Sequence, residues 1–242
     1  MNRLLILILL FTCTGTAAQQ VRLDISHVVG NMPMQLKVTE YHNAAGDTFT
    51  ITVFRYYLSN FTLSDATGKA VNAEKAYFLV SEDSTRSKQL LLKNCPAGKY
   101  TRLSFMIGVD SVLNFSGPQS GALDPMYGMF WTWNSGYIMA KLEGFSPSSR
   151  LPNHMIQFHI GGYRAPHVTQ RLVTLELPTP VTVSARHTPQ VSLEADAATW
   201  FDGLHKISFR QTAGFMAPGT IADRIADNYQ HMFTVKEVIH RR

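Results

Sequence analysis

Apolar and polar side chains alternate along much of this 242-residue chain. The clearest example runs from Val21 to Val29, where every second residue is apolar except His27. A period of two is that of a β-strand with one buried face. The pattern therefore predicts a strand whose inward face includes a histidine.

Further stretches with strand-like patterns lie between short turns rich in Gly, Asn and Asp. The predicted segments are residues 49–53, 55–63, 76–80, 89–93, 99–109, 129–142, 154–160, 168–177, 181–185, 190–194 and 205–209. About ten strands joined by short turns predict an all-β fold, either an antiparallel β-sandwich or an open barrel.

Helix is predicted mainly near the C-terminus. Thr220 and Asp223 have the spacing of a capping box, and Ile225 and Tyr229 lie on one stripe at helical spacing. This predicts one short C-terminal helix that packs its apolar face on the sheet. Residues 114–125 are polar and rich in Gly and Pro, which predicts an exposed loop.

The first 18 residues have the pattern of a secretory signal peptide. They carry a positive charge at Arg3, an apolar run over residues 4–11 and small side chains at residues 16–18. Cleavage after residue 18 is favoured over lipidation at Cys13, because Thr12 is a poor fit before a lipidated cysteine. No stretch reaches the roughly 20 apolar residues of a membrane span. We therefore expect residues 19–242 to form a single exported domain, periplasmic or secreted, with no membrane span.

Composition and charge exclude several functions. The formal net charge is +5, but the Lys and Arg residues are scattered, whereas a nucleic-acid-binding protein clusters them on one surface. The chain has no Gly-x-Ser-x-Gly motif, no phosphate-binding glycine loop and no His-Glu-x-x-His motif. We expect neither nucleic-acid binding nor catalysis. A metal-dependent enzyme is a third hypothesis, but the sequence offers no identifiable general acid or base for it.

The chain contains nine His and ten Met, a large number of side chains that can bind a metal. Imidazole and thioether are ligands that copper prefers, and thioether suits the soft Cu(I) ion. His27 on its inward face is either a hydrogen-bonded core histidine or a ligand. His159 ends a strand just before Gly161 and Gly162, where a ligand and a simple turn-flanking histidine are both consistent with the sequence.

The most distinctive segment covers residues 128–137 and reads Gly-Met-Phe-Trp-Thr-Trp-Asn-Ser-Gly-Tyr. If it is extended, Met129, Trp131 and Trp133 project from one face. Two indoles on one face are large enough to anchor a core. That role would not explain why the segment is bounded by glycines.

Five segments in order resemble the MbnP-like family of exported copper-binding proteins, whose relatives include the copper protein MopE. They are Phe-Arg-Tyr-Tyr-Leu-Ser-Asn at residues 54–60, Ser-Phe-Met-Ile-Gly-Val-Asp at 104–110, the tryptophan segment at 128–137, Phe-His-Ile-Gly-Gly at 158–162 and the tail at 225–233. Together they span nearly all of the predicted mature chain.

The resemblance implies a β-rich domain that binds Cu(I) through histidines and a kynurenine, which is made by oxidising a tryptophan. It also implies a di-haem, peroxidase-like partner of the MbnH type that performs this oxidation. On this chain Trp131 or Trp133 is the candidate for modification. The candidate imidazole ligands are His159 and His27. Met129 and Met216 rank lower, as soft neighbours of the metal.

Two departures from the family pattern affect the ligand set. A second tryptophan, Trp133, stands where one relative has the histidine of a Trp-x-His pair, and residues 114–127 contain no histidine. Our leading hypothesis is a protein that stores, chaperones or delivers Cu(I). The alternative is a metal-free β-sandwich that serves as a binding module at the cell envelope, for which both indoles would stay intact.

Overall fold

A computed structural model describes residues 19–73, 75–132 and 135–240. The predicted signal peptide with its cleavage position, and Trp133 with Asn134, lie outside the described residues. Within the described part of the chain, no helix is both long and apolar enough to cross a membrane.

The elements are mostly strands, and ten of them have four residues or more. The strands are β1 (Val21–Val29), β2 (Met32–Pro33), β3 (Tyr41–His42), β4 (Thr48–Ser64), β5 (Ala70–Asn72), β6 (Tyr77–Ser81), β7 (Gln89–Leu92), β8 (Gly98–Ile107), β9 (Ile138–Phe145), β10 (Met155–Gly161), β11 (Tyr163–Arg164), β12 (His167–Val168), β13 (Arg171–Val183), β14 (Gln190–Asp196), β15 (Gly214–Phe215) and β16 (Phe233–Ile239). The α-helices are α1 (Ser111–Phe115), α2 (Thr199–Asp202) and α3 (Thr220–Tyr229). Short 3₁₀ turns cover Thr85–Lys88, Gly121–Leu123, Pro125–Tyr127 and Pro152–His154.

Two large sheets form the sandwich that the alternation predicted. The smaller sheet has the order β16-β14-β1-β2, with β7 also paired to β1. The larger sheet has the order β13-β8-β4-β9-β10-β15, and β3, β5 and β6 also pair with β4. Strands β11 and β12 form a separate two-stranded hairpin. The predicted all-β class is confirmed, with the predicted helix present as α3.

Two strand pairs are parallel rather than antiparallel. Strand β1 pairs with β14 in parallel, with Leu23 opposite Val191, and β10 pairs with β15 in parallel. Parallel neighbours need a long connection between them. The connection from β1 to β14 contains every strand of the larger sheet except β15, so the sequence pattern of either strand alone could not indicate this pairing.

The main core lies between the two sheets. It is built from the inward faces of both, with Leu23 and Leu193 from the smaller sheet and Phe54, Leu142 and Phe158 from the larger one. Helix α3 adds the stripe that its sequence predicted, since Ile225 and Tyr229 are fully buried. Burial of this apolar area is the main source of stability for such a fold.

A second, smaller core lies on the outward face of the larger sheet. Residues 109–132 and 135–137, which we term the cover, lie over that face and bury Tyr57, Met129, Tyr137 and Met139. The prediction of an exposed loop over residues 114–125 is therefore wrong in part. Leu123 is almost fully buried, because the loop packs its few apolar residues against the sheet.

Other local predictions also differ from the structure. Residues 129–137 are not one strand, because a tight turn interrupts them and β9 begins only at Ile138. Residues 205–209 form no strand. Helix α3 has no capping box, since Gly219 is its N-cap and the Asp223 carboxylate bonds to His167 instead. Strand β16 was not predicted.

Asn114 joins the two ends of the cover. Its side chain is fully buried, donates to Val109 O and Asp110 O, and accepts from Tyr137 N at 2.8 Å. The Asn114 oxygen also lies where a Cβ on Gly136 would be, which explains a glycine at that turn. One amide thus connects the start of the cover to its end.

We expect Asn114→Ala to destabilise the cover, because the buried Tyr137 N–H loses its acceptor, and Val109 O and Asp110 O each lose one of two donors. The free energy of unfolding should fall by about 2–3 kcal/mol in urea titrations. Asn72→Ala, at an exposed position of β5, is the matched control and should change it by less than about 0.5 kcal/mol. Equal stability of the two variants would contradict the assigned role of Asn114.

Candidate functional site

His159 lies on the outward face of the larger sheet. Its neighbours Phe158 and Ile160 are fully buried in the main core, so alternation along β10 directs the imidazole to the other side. In the pairing register His159 is opposite Lys141 of β9, which in turn is opposite Arg55 of β4. A histidine and two cations therefore form one row across three strands.

Glu143 orients the imidazole. The Nε2–H of His159 donates to Glu143 Oε1 at 2.6 Å, and this bond holds the pKa of the Glu143 carboxyl below its usual range. A carboxylate that accepts one ring N–H fixes the tautomer and leaves the other ring nitrogen as an acceptor. The Nδ1 atom of His159 is then the one that can bind a metal.

Trp131 packs against the same strand as this histidine. Its ring lies over Gly161, two residues along β10 from His159, and a Cβ on that glycine would come within 2.6 Å of the indole. A turn positions Trp131, since its N–H donates to Gly136 O while Gly136 N donates to Thr132 O. The glycine is required here because any side chain would displace the indole.

The two methionines named as soft neighbours occupy different places. Strand β15 pairs with β10 so that Phe215 is opposite Phe158. Met216 follows Phe215 in the chain, just beyond the end of this pairing, and about half of it is exposed. Met129 is fully buried in the core beneath the cover.

Two cations anchor the cover next to the histidine. Lys141 Nζ donates to Gly128 O at 2.7 Å, and Arg55 Nη1 donates to Tyr127 O at 3.3 Å. Burial lowers the pKa of Lys141. These contacts hold the chain just before Met129 and so fix where Trp131 emerges.

His27 lies on the opposite side of the larger sheet from His159. It is buried between the sheets, where Nδ1–H donates to Glu82 Oε2 at 2.7 Å and Nε2 accepts from the Tyr56 hydroxyl at 2.8 Å. Both ring nitrogens thus have partners, and Tyr56 belongs to the main core. These contacts favour the hydrogen-bonded core histidine over the metal ligand, the two alternatives that the sequence left open.

Sequence reasoning missed the acidic partners of the histidines, and Glu143 is one of them. Another is Asp223 of α3, whose Oδ2 accepts from His167 Nδ1–H at 2.7 Å beside a small pocket of about 70 Å³ that Ser135 and Pro218 also line. Neither pairing follows from the pattern along a single strand, because each depends on cross-strand register or on helix docking.

The donor set fits a soft ion better than a hard one. Within the described residues, no three His, Cys, Asp or Glu side chains come close enough together to form a metal-binding group. The remaining donors are the imidazole of His159 with one acceptor nitrogen and the thioether of Met216 on the segment after β15, with the indole of Trp131 over the same strand as the histidine. Such donors suit Cu(I), whereas Ca²⁺, Mg²⁺ or Zn²⁺ would need more oxygen, nitrogen or thiolate ligands.

Comparison with known proteins shows a family relationship. A model of the MbnP family matches residues 18–219 of the chain. The fold is similar to that of MbnP from Methylosinus trichosporium, with a TM-score of 0.54 over 84% of this chain and 83% of that chain. The two sequences are 16% identical, so this similarity establishes the fold alone. No curated protein matches the chain.

We expect the buried His27 to make stability depend on pH. Burial lowers its pKa in the folded protein, whereas the unfolded chain binds a proton as the pH falls through about 6.5. The unfolded state then holds more protons, so the free energy of unfolding falls between about pH 7.5 and about pH 5.5.

The variant His27→Gln tests this in urea titrations at both pH values. It should be about 1–3 kcal/mol less stable at the higher pH, because Glu82 and Tyr56 lose a partner. It should also lose less stability than the wild type on acidification. An unchanged pH dependence would show that other groups are responsible.

Proposed function

The chain belongs to the MbnP family, and we propose on this basis that it is an exported, non-enzymatic Cu(I)-binding protein that stores, chaperones or delivers the ion. The observation that carries the proposal is the environment of His159. Its Nε2–H is bonded to Glu143, its Nδ1 is left as an acceptor, Trp131 packs over Gly161 two residues along the strand, and Met216 directly follows the strand paired with β10.

His159 would supply the imidazole ligand and Met216 the thioether. When bound, copper supplies soft Lewis acidity that favours sulfur and nitrogen donors over water. Glu143 holds the ring in the metal-binding tautomer. The exposed Met216 at the sheet edge leaves one side of the site open to solvent, which suits transfer of the ion to or from another molecule.

Trp131 is the tryptophan that we propose for oxidation to kynurenine, with Trp133 as the second candidate. Two molecules of hydrogen peroxide, reduced to water, would cleave the indole C2–C3 bond, and hydrolysis would then release C2 as formate and free an aryl amine. That nitrogen can bind copper where the indole cannot. Trp131 is only partly buried and packs over Gly161, two residues along β10 from His159. A di-haem, peroxidase-like protein is the partner that we propose for this oxidation.

Export is part of the same proposal. Residues 1–18 have the sequence pattern of a signal peptide, and we propose that the mature chain acts in the periplasm or outside the cell. Copper handling at the envelope does not require a membrane span in this chain.

A metal-free binding module is the second candidate function. The observation that favours it is the small number of donors, since the described residues contain no group of three or more His, Cys, Asp or Glu suited to a metal. In that case His159 and Glu143 form only a surface ion pair and both indoles remain unmodified.

We expect His159→Ala to abolish most Cu(I) binding without loss of cooperative unfolding. Cu(I) affinity, measured by competition with a chromogenic chelator, should fall by about 100-fold or more, and Glu143→Gln should lower it by about 10- to 100-fold. His42→Ala removes an exposed histidine bonded to Thr48 and is the matched control. Wild-type affinity in His159→Ala would exclude His159 from the site.

We expect Trp131→Phe to remove the kynurenine from protein purified from its native host. Mass spectrometry of tryptic peptides and the absorbance of the aryl amine identify the modified position. Trp133→Phe is the matched control and should leave the modification in place. Two unmodified indoles in the wild type, or modification that persists in Trp131→Phe, would contradict the assignment to Trp131.

A further inference from the structure

A cavity next to β6 is not used by the proposed copper site. It is a cleft of about 500 Å³, a volume in the range of ligand-binding sites. Strand β6 forms its floor. The 3₁₀ turn Thr85–Lys88 forms one wall, and Ala122 and Tyr127 of the cover form the other.

The cleft meets β6 along its edge rather than on one of its faces. Side chains on a strand alternate between the two faces, so a cavity over one face would contact only every second residue. This cleft is lined by Tyr77, Phe78 and Leu79 in succession, and also by Ser81. Among the described strands β6 pairs only with β4, so its other edge borders the cleft.

This edge lacks the usual protection against pairing. Exposed edge strands normally carry charged residues, proline or a bulge that discourages another chain from adding to the sheet. Strand β6 reads Tyr-Phe-Leu-Val-Ser, without charge or proline. Only its end is capped, where Ser87 Oγ accepts from Ser81 N and donates to Ser81 O.

The charges at the cleft favour a negative partner. Arg55 is neutralised by Asp83, with Nη2 to Oδ2 at 2.7 Å. Arg86 is exposed in the cleft wall, and no described carboxylate forms an ion pair with it. Tyr127 and Leu79 supply apolar surface next to this guanidinium.

We propose that the cleft binds an extended acidic peptide segment, which adds to the sheet along the free edge of β6. The peptide backbone would bond to β6, as in other cases of strand addition. A carboxylate of the peptide would pair with Arg86, and its apolar side chains would contact Phe78, Leu79 and Tyr127. The proposal does not depend on copper, since none of these residues is a proposed ligand.

The experiment uses three labelled nine-residue synthetic peptides and the full-length mature protein. The first alternates Val and Thr and carries two Glu residues, the second has Lys in place of Glu, and the third is the acidic peptide with N-methyl groups on alternate amides. Fluorescence anisotropy gives each Kd. Hydrogen exchange of residues 77–81 reports whether the β6 amides become protected.

The acidic peptide should bind and slow exchange in β6, whereas the Lys and N-methylated peptides should bind at least about tenfold more weakly. Ala122→Trp, which fills the cleft from the cover side, should abolish binding. Arg86→Glu should weaken it about three- to tenfold, and Arg150→Glu, at an exposed position outside the cleft, should not. His159→Ala should bind the peptide like the wild type, which separates this test from the copper proposal.

Several outcomes would overturn the proposal. Absence of binding by the acidic peptide to the wild type is one, and binding that survives Ala122→Trp is another. Equal binding of the N-methylated peptide would show that strand addition is not the mode. Analytical ultracentrifugation gives the last test. If the wild type forms a dimer and Ala122→Trp does not, the occupant of the cleft is a second copy of the chain instead.

Discussion

The larger sheet must be covered on both of its faces, and the rest of the structure depends on this constraint. Tyr56 and Leu58 of β4 face the smaller sheet, whereas Tyr57 between them faces outward into the second core. Apolar side chains on both faces of one strand cannot be buried by a two-layer sandwich alone. The cover supplies the third layer, and its small core of aromatic and methionine side chains determines where the tryptophan segment lies.

The face of the strand on which each histidine lies explains why two histidines that were both candidate ligands from the sequence differ in structure. His27 shares its face with the core residues of β1, so its burial requires that Glu82 and Tyr56 satisfy both nitrogens. His159 lies between two core residues of β10 and therefore faces outward, where Glu143 engages only one nitrogen. The second ring nitrogen of His159, which Glu143 does not engage, makes this histidine the candidate ligand, whereas His27 is a structural residue.

Elements whose partners are local could be predicted from the sequence, and those that depend on distant partners could not. The alternation in β1 and the apolar stripe of α3 each indicate the element and its buried face. The parallel pairing of β1 with β14, and the contact of Glu143 with His159, depend on register between separate strands. Residues 114–125 of the cover were predicted to be an exposed loop because their composition is polar. Leu123 and Asn114 are nevertheless buried, and their burial depends on the sheet beneath them.

The same layer divides the outward face of the larger sheet into two separate regions. Arg55 and Lys141 bond to the cover backbone at Tyr127 and Gly128, and these contacts close the space between β6 and β10. On one side lie His159, Trp131 and the open edge at Met216, and on the other lies the cleft along β6. Because the two cations are bonded to the cover, an occupant of the cleft would meet Arg55 and Tyr127 before it reached the histidine. Any coupling between the two regions would therefore have to pass through the Arg55–Lys141 row, which is also the point where the cover is held to the sheet.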